Sequence, residues 1–260
     1  MLKQLRQAVR GLRLRAHPLF RDIDGKISTI RLVNIDSCSR ISNQKKFFYS
    51  RIPKAANSTV MATLVHSDNG FRAVSRGDIK RAKSYYPPAS AIHLDRQTLI
   101  SEYFKFTVVR HPFARIVSAF NDKIIDASGY QEVVRGRRMV VFQGGLDDVL
   151  EIFEDFLVRL KGGLMLNNYH FMPQTSLMLF RPEELDYIGK VETIESDLNV
   201  ITRHVFGASK EIVTWAPHAA QNGIRPRGQS MKAELLTKHQ KLLLAKLYRQ
   251  DFELLGYEPT

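Results

Sequence analysis

Apolar residues recur along most of the chain at the spacing of helices or strands. Leu2, Leu5, Val9 and Leu12 lie three or four positions apart, which predicts a helix over residues 2–15. The same reasoning predicts strands at residues 27–35, 46–52, 104–109 and 185–191, and helices at residues 57–66, from Pro112 onward, and at residues 146–161, 193–206 and 230–250. Strands that alternate with helices indicate an α/β fold with a central, mainly parallel sheet flanked by helices.

The length and composition fit one sizeable folded domain. The 260 residues are 44% hydrophobic, which is enough for a large core and excludes a wholly disordered chain. We predict a basic arm at residues 1–30, followed by a single domain at residues 31–260. Cys38 is the only cysteine, which excludes an intramolecular disulfide and a zinc site made of cysteines alone.

The hydrophobic pattern also bears on cellular location. No apolar run approaches the roughly 20 residues that cross a bilayer, and no apolar signal-peptide core follows the basic start. We therefore expect a soluble, cytoplasmic protein. The basic, amphipathic residues 1–15 leave two interpretations open: a helix that packs on the body of the protein, or a helix that makes peripheral contact with a membrane.

The net charge is the most informative number in the composition. Lysine and arginine number 39 against 26 aspartate and glutamate, so the formal net charge is +13. Such an excess indicates an anionic partner, which can be nucleic acid, an acidic membrane, or a molecule that bears phosphate or sulfate. Nearly half of the excess lies in the first 31 residues, so the remaining cations have to be judged by their positions.

A first candidate anion site follows the predicted strand at residues 46–52 and begins the next helix. At such a turn, backbone N–H groups and the positive end of the helix dipole face one point. Lys54 adds a positive charge, and Ser58 and Thr59 add hydroxyl donors. The small residues between them let an anion approach, although no glycine is present and the G-x-x-x-x-G-K-[ST] pattern is not matched. A plain helix start with a surface lysine is the alternative.

A second candidate anion site lies at the end of the strand at residues 104–109. Arg110 stands at the carboxyl end of that strand, where open parallel sheets bind ligands. Ser118 follows in the helix that begins at Pro112, and Arg115 lies one turn before Ser118 on nearly the same helix face. An arginine and a hydroxyl suit a phosphate group. A nucleotide triphosphatase would more naturally place an aspartate there to help hold Mg²⁺, so we expect a metal-free anion site. A structural ion pair is the alternative for the arginine.

Together the two sites resemble the cofactor-binding signatures of sulfotransferases that use 3′-phosphoadenosine 5′-phosphosulfate. The signatures are IPKAANSTV at residues 52–60 and FTVVRHPFARIVSAF at residues 106–120. Three further stretches resemble the Golgi-type carbohydrate sulfotransferase branch, namely YHFMPQT at 169–175, YIGKVETIESDLN at 187–199 and KLYRQDFELLGYE at 246–258. The chain departs from the animal members because it lacks their anchor helix and the cysteines near the proline-glutamine motif. The departures indicate a bacterial, cytoplasmic member.

The resemblance implies a P-loop-like, three-layer fold and a role for each matched residue. Lys54 would contact the 5′-phosphosulfate and stabilise charge on the leaving oxygen. Arg110 and Ser118 would hold the 3′-phosphate. The residues that would cradle the 5′-phosphate are Ala55, Ala56, Asn57, Ser58 and Thr59, and those that would close over the nucleotide from a later loop are Arg225 and Arg227.

The implied reaction is in-line transfer of a sulfuryl group to a hydroxyl, with adenosine 3′,5′-bisphosphate as product and no metal ion. A general base should take the hydroxyl proton, and histidine is the first choice because its pKa lies near 7. We predict His93, which occupies a position where related enzymes often place a base, and take His170 as the second choice. His111 and a carboxylate such as Asp95 are weaker alternatives.

Three classes of function fit some of these observations. A sulfotransferase that acts on a glycan, a glycolipid or a small molecule with a hydroxyl group accounts for both anion sites. A P-loop kinase or nucleotide triphosphatase shares the strand–loop–helix turn, but no clear aspartate is present to hold Mg²⁺. A nucleic-acid-binding module rests on net charge alone, because no recognised reading motif is present, and we expect no nucleic-acid partner.

Overall fold

A computed structural model of the protein describes residues 2–21, 27–125, 146–163, 165–214 and 230–260. The chain divides into two compact units. The first is made of residues 1–109 and 174–216, and the second is made of residues 110–173 and 217–260.

The described residues form four strands and eleven α-helices. The strands are β1 (Ser39–Ser42), β2 (Phe47–Ser50), β3 (Phe104–Val109) and β4 (Tyr187–Lys190). The helices are α1 (Leu2–Ala16), α2 (Pro18–Arg21), α3 (Thr29–Cys38), α4 (Asn57–Asn69), α5 (Arg76–Tyr85), α6 (Arg96–Glu102), α7 (Pro112–Phe120), α8 (Leu146–Lys161), α9 (Ile194–Phe206), α10 (Lys238–Leu247) and α11 (Arg249–Leu255).

The first unit is built on one sheet with the strand order β1-β2-β3-β4. Strands β2, β3 and β4 run parallel, with Ser50 opposite Thr107 and Val109 opposite Lys190, whereas the edge strand β1 is antiparallel to β2. The predicted α/β fold with a mainly parallel sheet is confirmed. Because parallel strands share a direction, the carboxyl ends of β2, β3 and β4 lie at one edge of the sheet.

Helices cover both faces of this sheet. Phe47 and Tyr49 pack in an apolar cluster with α4 and α9, while Phe48, which points to the opposite face, packs with α1 and α3. This alternation follows from the two-residue period of a strand. The first unit therefore has the three layers that the sequence predicts.

The strand predicted at residues 27–35 is wrong, because this segment belongs to helix α3. Its β-branched residues favour a strand in isolation. The helix begins instead at Ser28, whose Oγ accepts a hydrogen bond from the backbone N of Arg31 at 3.2 Å. Leu32 and Ile35 are buried against α1 and the sheet, so packing outweighs local propensity here.

Helix α1 confirms the first predicted helix, and it packs on α3. Arg10 donates to the buried carboxylate of Asp36 at 2.6 Å, and the same carboxylate accepts from the N and Oγ of Ser90 at 3.0 and 2.9 Å. Leu14, from the same helix, is buried in the core. The arm predicted at residues 1–30 and its contact with a membrane stay predictions.

The second unit has its own apolar core, which is made by α7, α8, α10 and α11. Its largest side chains are aromatic, namely Phe113, Phe120, Phe153, Phe156, Phe171, Tyr248 and Phe252. The single final helix predicted from residue 230 to 250 is wrong. Helix α10 begins only after Thr237, whose Oγ1 accepts from the N of Gln240 at 3.2 Å in a capping box, and a second helix follows after Tyr248.

The turn from β2 into α4 contains two residues in the left-handed region of backbone conformation. Lys54 has φ of 68° and Ala56 has φ of 50°. A side chain with a Cβ pays about 1–2 kcal/mol for this conformation. Ala56 is also the residue before α4, and it offers no side-chain hydrogen bond to the helix start. The backbone of this turn is therefore strained and its helix is uncapped.

Replacing Ala56 with glycine tests this strain. Glycine adopts the left-handed region without penalty, so we expect Ala56→Gly to leave the free energy of unfolding unchanged or to raise it by up to about 1 kcal/mol. The matched control is Ala62→Gly in the interior of the same helix, which should lower it by about 1 kcal/mol or more. Urea denaturation measures both. A loss in Ala56→Gly as large as that in the control would contradict the backbone conformation assigned here.

Candidate active site

The first candidate anion site is the Lys54 loop, defined as residues 52–59, in the first unit. The carbonyl of Ile52 accepts from the N of Ala55 and from Nδ2 of Asn57, both at 3.4 Å, and this folds the loop back on itself. Ala55 is fully buried, whereas the side chains of Lys54, Ser58 and Thr59 are half-buried and within reach of a ligand.

The start of α4 is suited to an anion. Helix α4 has no side-chain cap at its N-terminus, as is also the case for α9 and α11, whereas α3, α5, α6 and α10 each have one. Its first N–H groups and the positive end of its dipole thus face the loop without a side-chain acceptor. The phosphate cradle predicted at this helix start stays a prediction.

Several polar side-chain atoms around this loop are buried without a hydrogen-bond partner among the described residues. They are Tyr49 Oη, Ser50 Oγ, Arg51 Nε and Asn57 Oδ1. Burial raises the pKa of the Tyr49 phenol, so it stays a protonated donor. Native structures leave few such atoms unsatisfied. Their concentration in residues 49–57 fits a site that a polar ligand or ordered water completes.

The second candidate anion site lies in the second unit. Arg110 is the next residue after β3 and is half-buried, as is Ser118 on α7. His111 caps this helix, because its Nδ1 accepts from the N of Phe113 at 3.3 Å while its Nε2 lies 3.1 Å from the carbonyl oxygen of Glu258. The start of α7 is therefore already capped. The phosphate-binding role predicted for Arg110 and Ser118 stays a prediction.

Arg115 does not share this role, although its spacing places it near Ser118. Only 1% of its surface is exposed. Its Nη1 donates to the carbonyl of Met172 at 2.8 Å, and its Nη2 donates to the carbonyl of Tyr169 at 3.2 Å. Its guanidinium group is thus directed at backbone inside the second unit.

The two histidines predicted as base candidates lie in different units. His93, in the first unit, is exposed, and its ring centroid lies 6.1 Å from that of His17. Burial lowers the pKa of His17, so that ring is neutral at pH 7 and adds no positive charge beside His93. His170, in the second unit, is half-buried, with its ring centroid 4.3 Å from that of Tyr169.

The end of β4 adds a cation that sequence reasoning missed. Lys190 is the last residue of β4, so it lies at the same sheet edge as the Lys54 loop. Asp197 fixes this strand end, because it accepts from Tyr187 Oη, Lys190 N and Thr193 Oγ1 at 2.7–2.8 Å. Burial, and then the bond to Asp197, raise the pKa of Tyr187 to about 12. The strand-end rule, applied to the stretch at 187–199, could have found this residue.

The remaining expectations concern the arginines predicted to close over the nucleotide, metal ions and membrane helices. Arg225 and Arg227, predicted to close over the nucleotide, lie outside the described residues. Among the residues that are described, no group of three or more His, Cys, Asp or Glu could hold a metal ion. None of the described helices is long and apolar enough to cross a membrane. The cytoplasmic location stays a prediction.

Comparison with known proteins finds several carbohydrate sulfotransferases that are similar to the chain. Carbohydrate sulfotransferase 14 of Danio rerio is 29% identical to the chain, in a match that covers 84% of the chain and 61% of the relative. Carbohydrate sulfotransferase 10 of Xenopus laevis is 26% identical, with 85% and 67% covered. Human carbohydrate sulfotransferase 14 is 28% identical, with 84% and 59% covered. The chain thus spans about three fifths to two thirds of the length of these relatives.

No solved structure gives a significant match to the chain. A model of the Sulfotransferase family matches residues 39–258, which include the Lys54 loop, Arg110 and α7. Because this match covers most of the chain, the protein belongs to the sulfotransferase family.

Proposed function

We propose that the protein transfers a sulfuryl group from 3′-phosphoadenosine 5′-phosphosulfate to a hydroxyl of a carbohydrate acceptor. The observation that carries this proposal is the Lys54 loop, a strained and uncapped strand-to-helix turn with a half-buried lysine. Family membership supports the donor, and the names of the relatives support the acceptor class. A kinase or nucleotide triphosphatase is not favoured, because the family that matches is one of sulfotransferases.

Each of the two anion sites takes one phosphate group of the donor in this proposal. The backbone of residues 55–59 and the hydroxyls of Ser58 and Thr59 hold the 5′-phosphate, where the dipole of α4 favours negative charge. Arg110 and Ser118 hold the 3′-phosphate, the arginine through two parallel hydrogen bonds. The acceptor is a glycan, a glycolipid or a small molecule with a hydroxyl group.

Lys54 has the main electrostatic role. The bound donor supplies an activated sulfuryl group, whose departure leaves negative charge on a phosphate oxygen. The ammonium group of Lys54 and the N–H groups of α4 stabilise that charge without reorganising, because the fold already orients them. The proposal includes no metal ion.

A histidine takes the proton from the acceptor hydroxyl. His93 is the first candidate, since it is exposed and its neighbour His17 is neutral at pH 7. His170 is the second candidate, on a segment that the second unit holds tightly. Both ring nitrogens of His111 face backbone groups, which gives that ring a structural role.

If Lys54 stabilises the leaving phosphate, removal of its side chain should lower turnover without unfolding the protein. Isothermal titration should show that the wild type binds adenosine 3′,5′-bisphosphate. Lys54→Ala should lower kcat by about 10²–10³-fold, because it removes a preorganised charge from the transition state. The control Lys80→Ala, on the exposed face of α5, should turn over as the wild type does. A folded wild type that does not bind the nucleotide would overturn the proposed function.

The arginine role predicts discrimination by the 3′-phosphate. The wild type should bind adenosine 3′,5′-bisphosphate at least about tenfold more tightly than adenosine 5′-monophosphate, because charge-assisted hydrogen bonds to the extra phosphate contribute about 1.5–3 kcal/mol. Arg110→Ala and Ser118→Ala should bring the two affinities closer together. Arg249→Ala, an exposed control, should preserve the ratio. An unchanged ratio in Arg110→Ala would show that this arginine does not contact the 3′-phosphate.

The dependence of kcat/KM on pH should identify which histidine is the general base. Loss of the general base should lower kcat/KM by about 10²–10⁴-fold and remove the acid limb of its pH profile, since that limb reports deprotonation of the base. We expect this result for His93→Asn, with a smaller change in His170→Asn and a preserved limb. The reverse pattern would assign the base to His170, and a preserved limb in both would exclude both.

A further inference from the structure

Arg115 is an unusual residue to find in the core of the second unit. It is charged at every relevant pH, yet it is the largest fully buried side chain among the described residues. Its Nη1 and Nη2 donate to the carbonyls of Met172 and Tyr169. Removing the arginine alone would leave these buried carbonyls without a donor, at a cost of about 1–3 kcal/mol for each. Arg115 therefore stabilises the second unit, and the same contacts also decide how the bonded segment is held.

The carbonyls that Arg115 contacts belong to residues 169–172, and a second buried side chain donates to the same segment. Tyr248, between α10 and α11, donates from its Oη to the carbonyl of Phe171 at 2.7 Å. Burial raises the pKa of Tyr248, which keeps the phenol protonated as a donor. Buried side chains thus hold three of the four carbonyls of residues 169–172.

The amides of the same segment are bonded to one asparagine. The N of His170 donates to Asn168 Oδ1 at 3.0 Å, and the N of Phe171 and the N of Met172 donate to the carbonyl of Asn168 at 2.8 and 3.1 Å. Backbone that is bonded at both its amides and its carbonyls has little freedom to move. The side chains on this segment are therefore held in defined directions.

The side chain of Tyr169 is exposed, and that of His170 is half-buried with its Nδ1 enclosed. Tyr169 is 38% exposed, and its ring lies beside that of His170. An exposed aromatic ring next to an imidazole offers an apolar face and a polar group together, which is the mixture that ligand sites use for binding and orientation. A sugar ring has matching apolar C–H faces and hydroxyl groups.

We propose that Arg115 is a positioning residue of the transfer reaction, which fixes Tyr169 and His170 relative to helix α7 so that they meet the acceptor sugar. The inference rests on the proposed function, because α7 also carries Ser118 and follows Arg110. One short helix then holds the donor's 3′-phosphate on its surface and the acceptor-contacting segment from its buried face. A displacement of about 1 Å in such a segment can lower the rate about 10²-fold.

The first test measures the segment itself and needs no acceptor. Arg115→Met keeps the volume of the side chain but removes its donors, and Arg159→Met is the control, an arginine of α8 that pairs with Asp155 near the surface. Hydrogen exchange at residues 170–172 should accelerate at least about tenfold in Arg115→Met while exchange within α7 is unchanged. The rate at which diethyl pyrocarbonate modifies His170, relative to the exposed His239, should also change. The control should match the wild type in both measurements.

The second test measures function with the full chain. Adenosine 3′,5′-bisphosphate should bind to Arg115→Met within about threefold of its wild-type affinity. Transfer of labelled sulfuryl groups to a panel of p-nitrophenyl glycosides should fall about 10–100-fold in kcat/KM for the acceptor. If Arg115→Met does not fold, Arg115→Lys and Tyr248→Phe replace it, because each removes fewer bonds.

The outcomes separate this inference from the proposed function. A folded Arg115→Met with unchanged exchange at residues 170–172 and unchanged transfer would overturn the positioning role. Faster exchange with unchanged transfer would also overturn it, because the segment would then be structural only. Failure of the wild type to bind the nucleotide would remove the proposed function, and the role inferred for Arg115 with it.

Discussion

The parallel order of β2, β3 and β4 is the constraint on which the rest of the first unit depends, because it brings three strand ends to one edge of the sheet. At one of these ends the chain adopts strained, left-handed backbone at Lys54 and Ala56 and leaves α4 uncapped. At another, Asp197 bonds the chain that follows β4. Strain of this kind persists only where surrounding structure enforces it. Packing of α4 against the sheet supplies that enforcement.

The helices and strands predicted from sequence match the structure best where their local sequence signals are strong. Helices α7, α8 and α9 have regular apolar stripes, and Pro112, Gly162 or Gly207 marks one of their ends, so their predicted limits are nearly right. Helices α5 and α6 were missed because they are short and polar. Their definition comes from caps such as Ser75, which bonds Asp78 in a capping box. The four-residue strand β1 is too short to show an alternating pattern.

The residues of the candidate site show the same contrast between local sequence signals and tertiary packing. The Lys54 loop, Arg110 and Ser118 could be singled out because strand ends and helix starts have known chemistry, and the family resemblance fixed their expected roles. Arg115 could not be understood from sequence, since spacing alone puts it close to Ser118. Burial is what distinguishes them: Ser118 stays half-buried while Arg115 is enclosed by the core of the second unit. The choice of base also depends on tertiary neighbours that the sequence does not specify.

The same distinction explains why a net charge of +13 is a poor guide to the ligand. Lys105 is buried and donates to Asp186 at 2.7 Å and to the carbonyls of Ile100 and Tyr103 at 3.1 Å. Arg10 and Arg115 are likewise bonded to a carboxylate or to carbonyls of the protein. Such contacts contribute to folding or positioning. The cations proposed to hold the donor, Lys54 and Arg110, are half-buried and follow parallel strands, so their placement guides the proposal more than the total charge does.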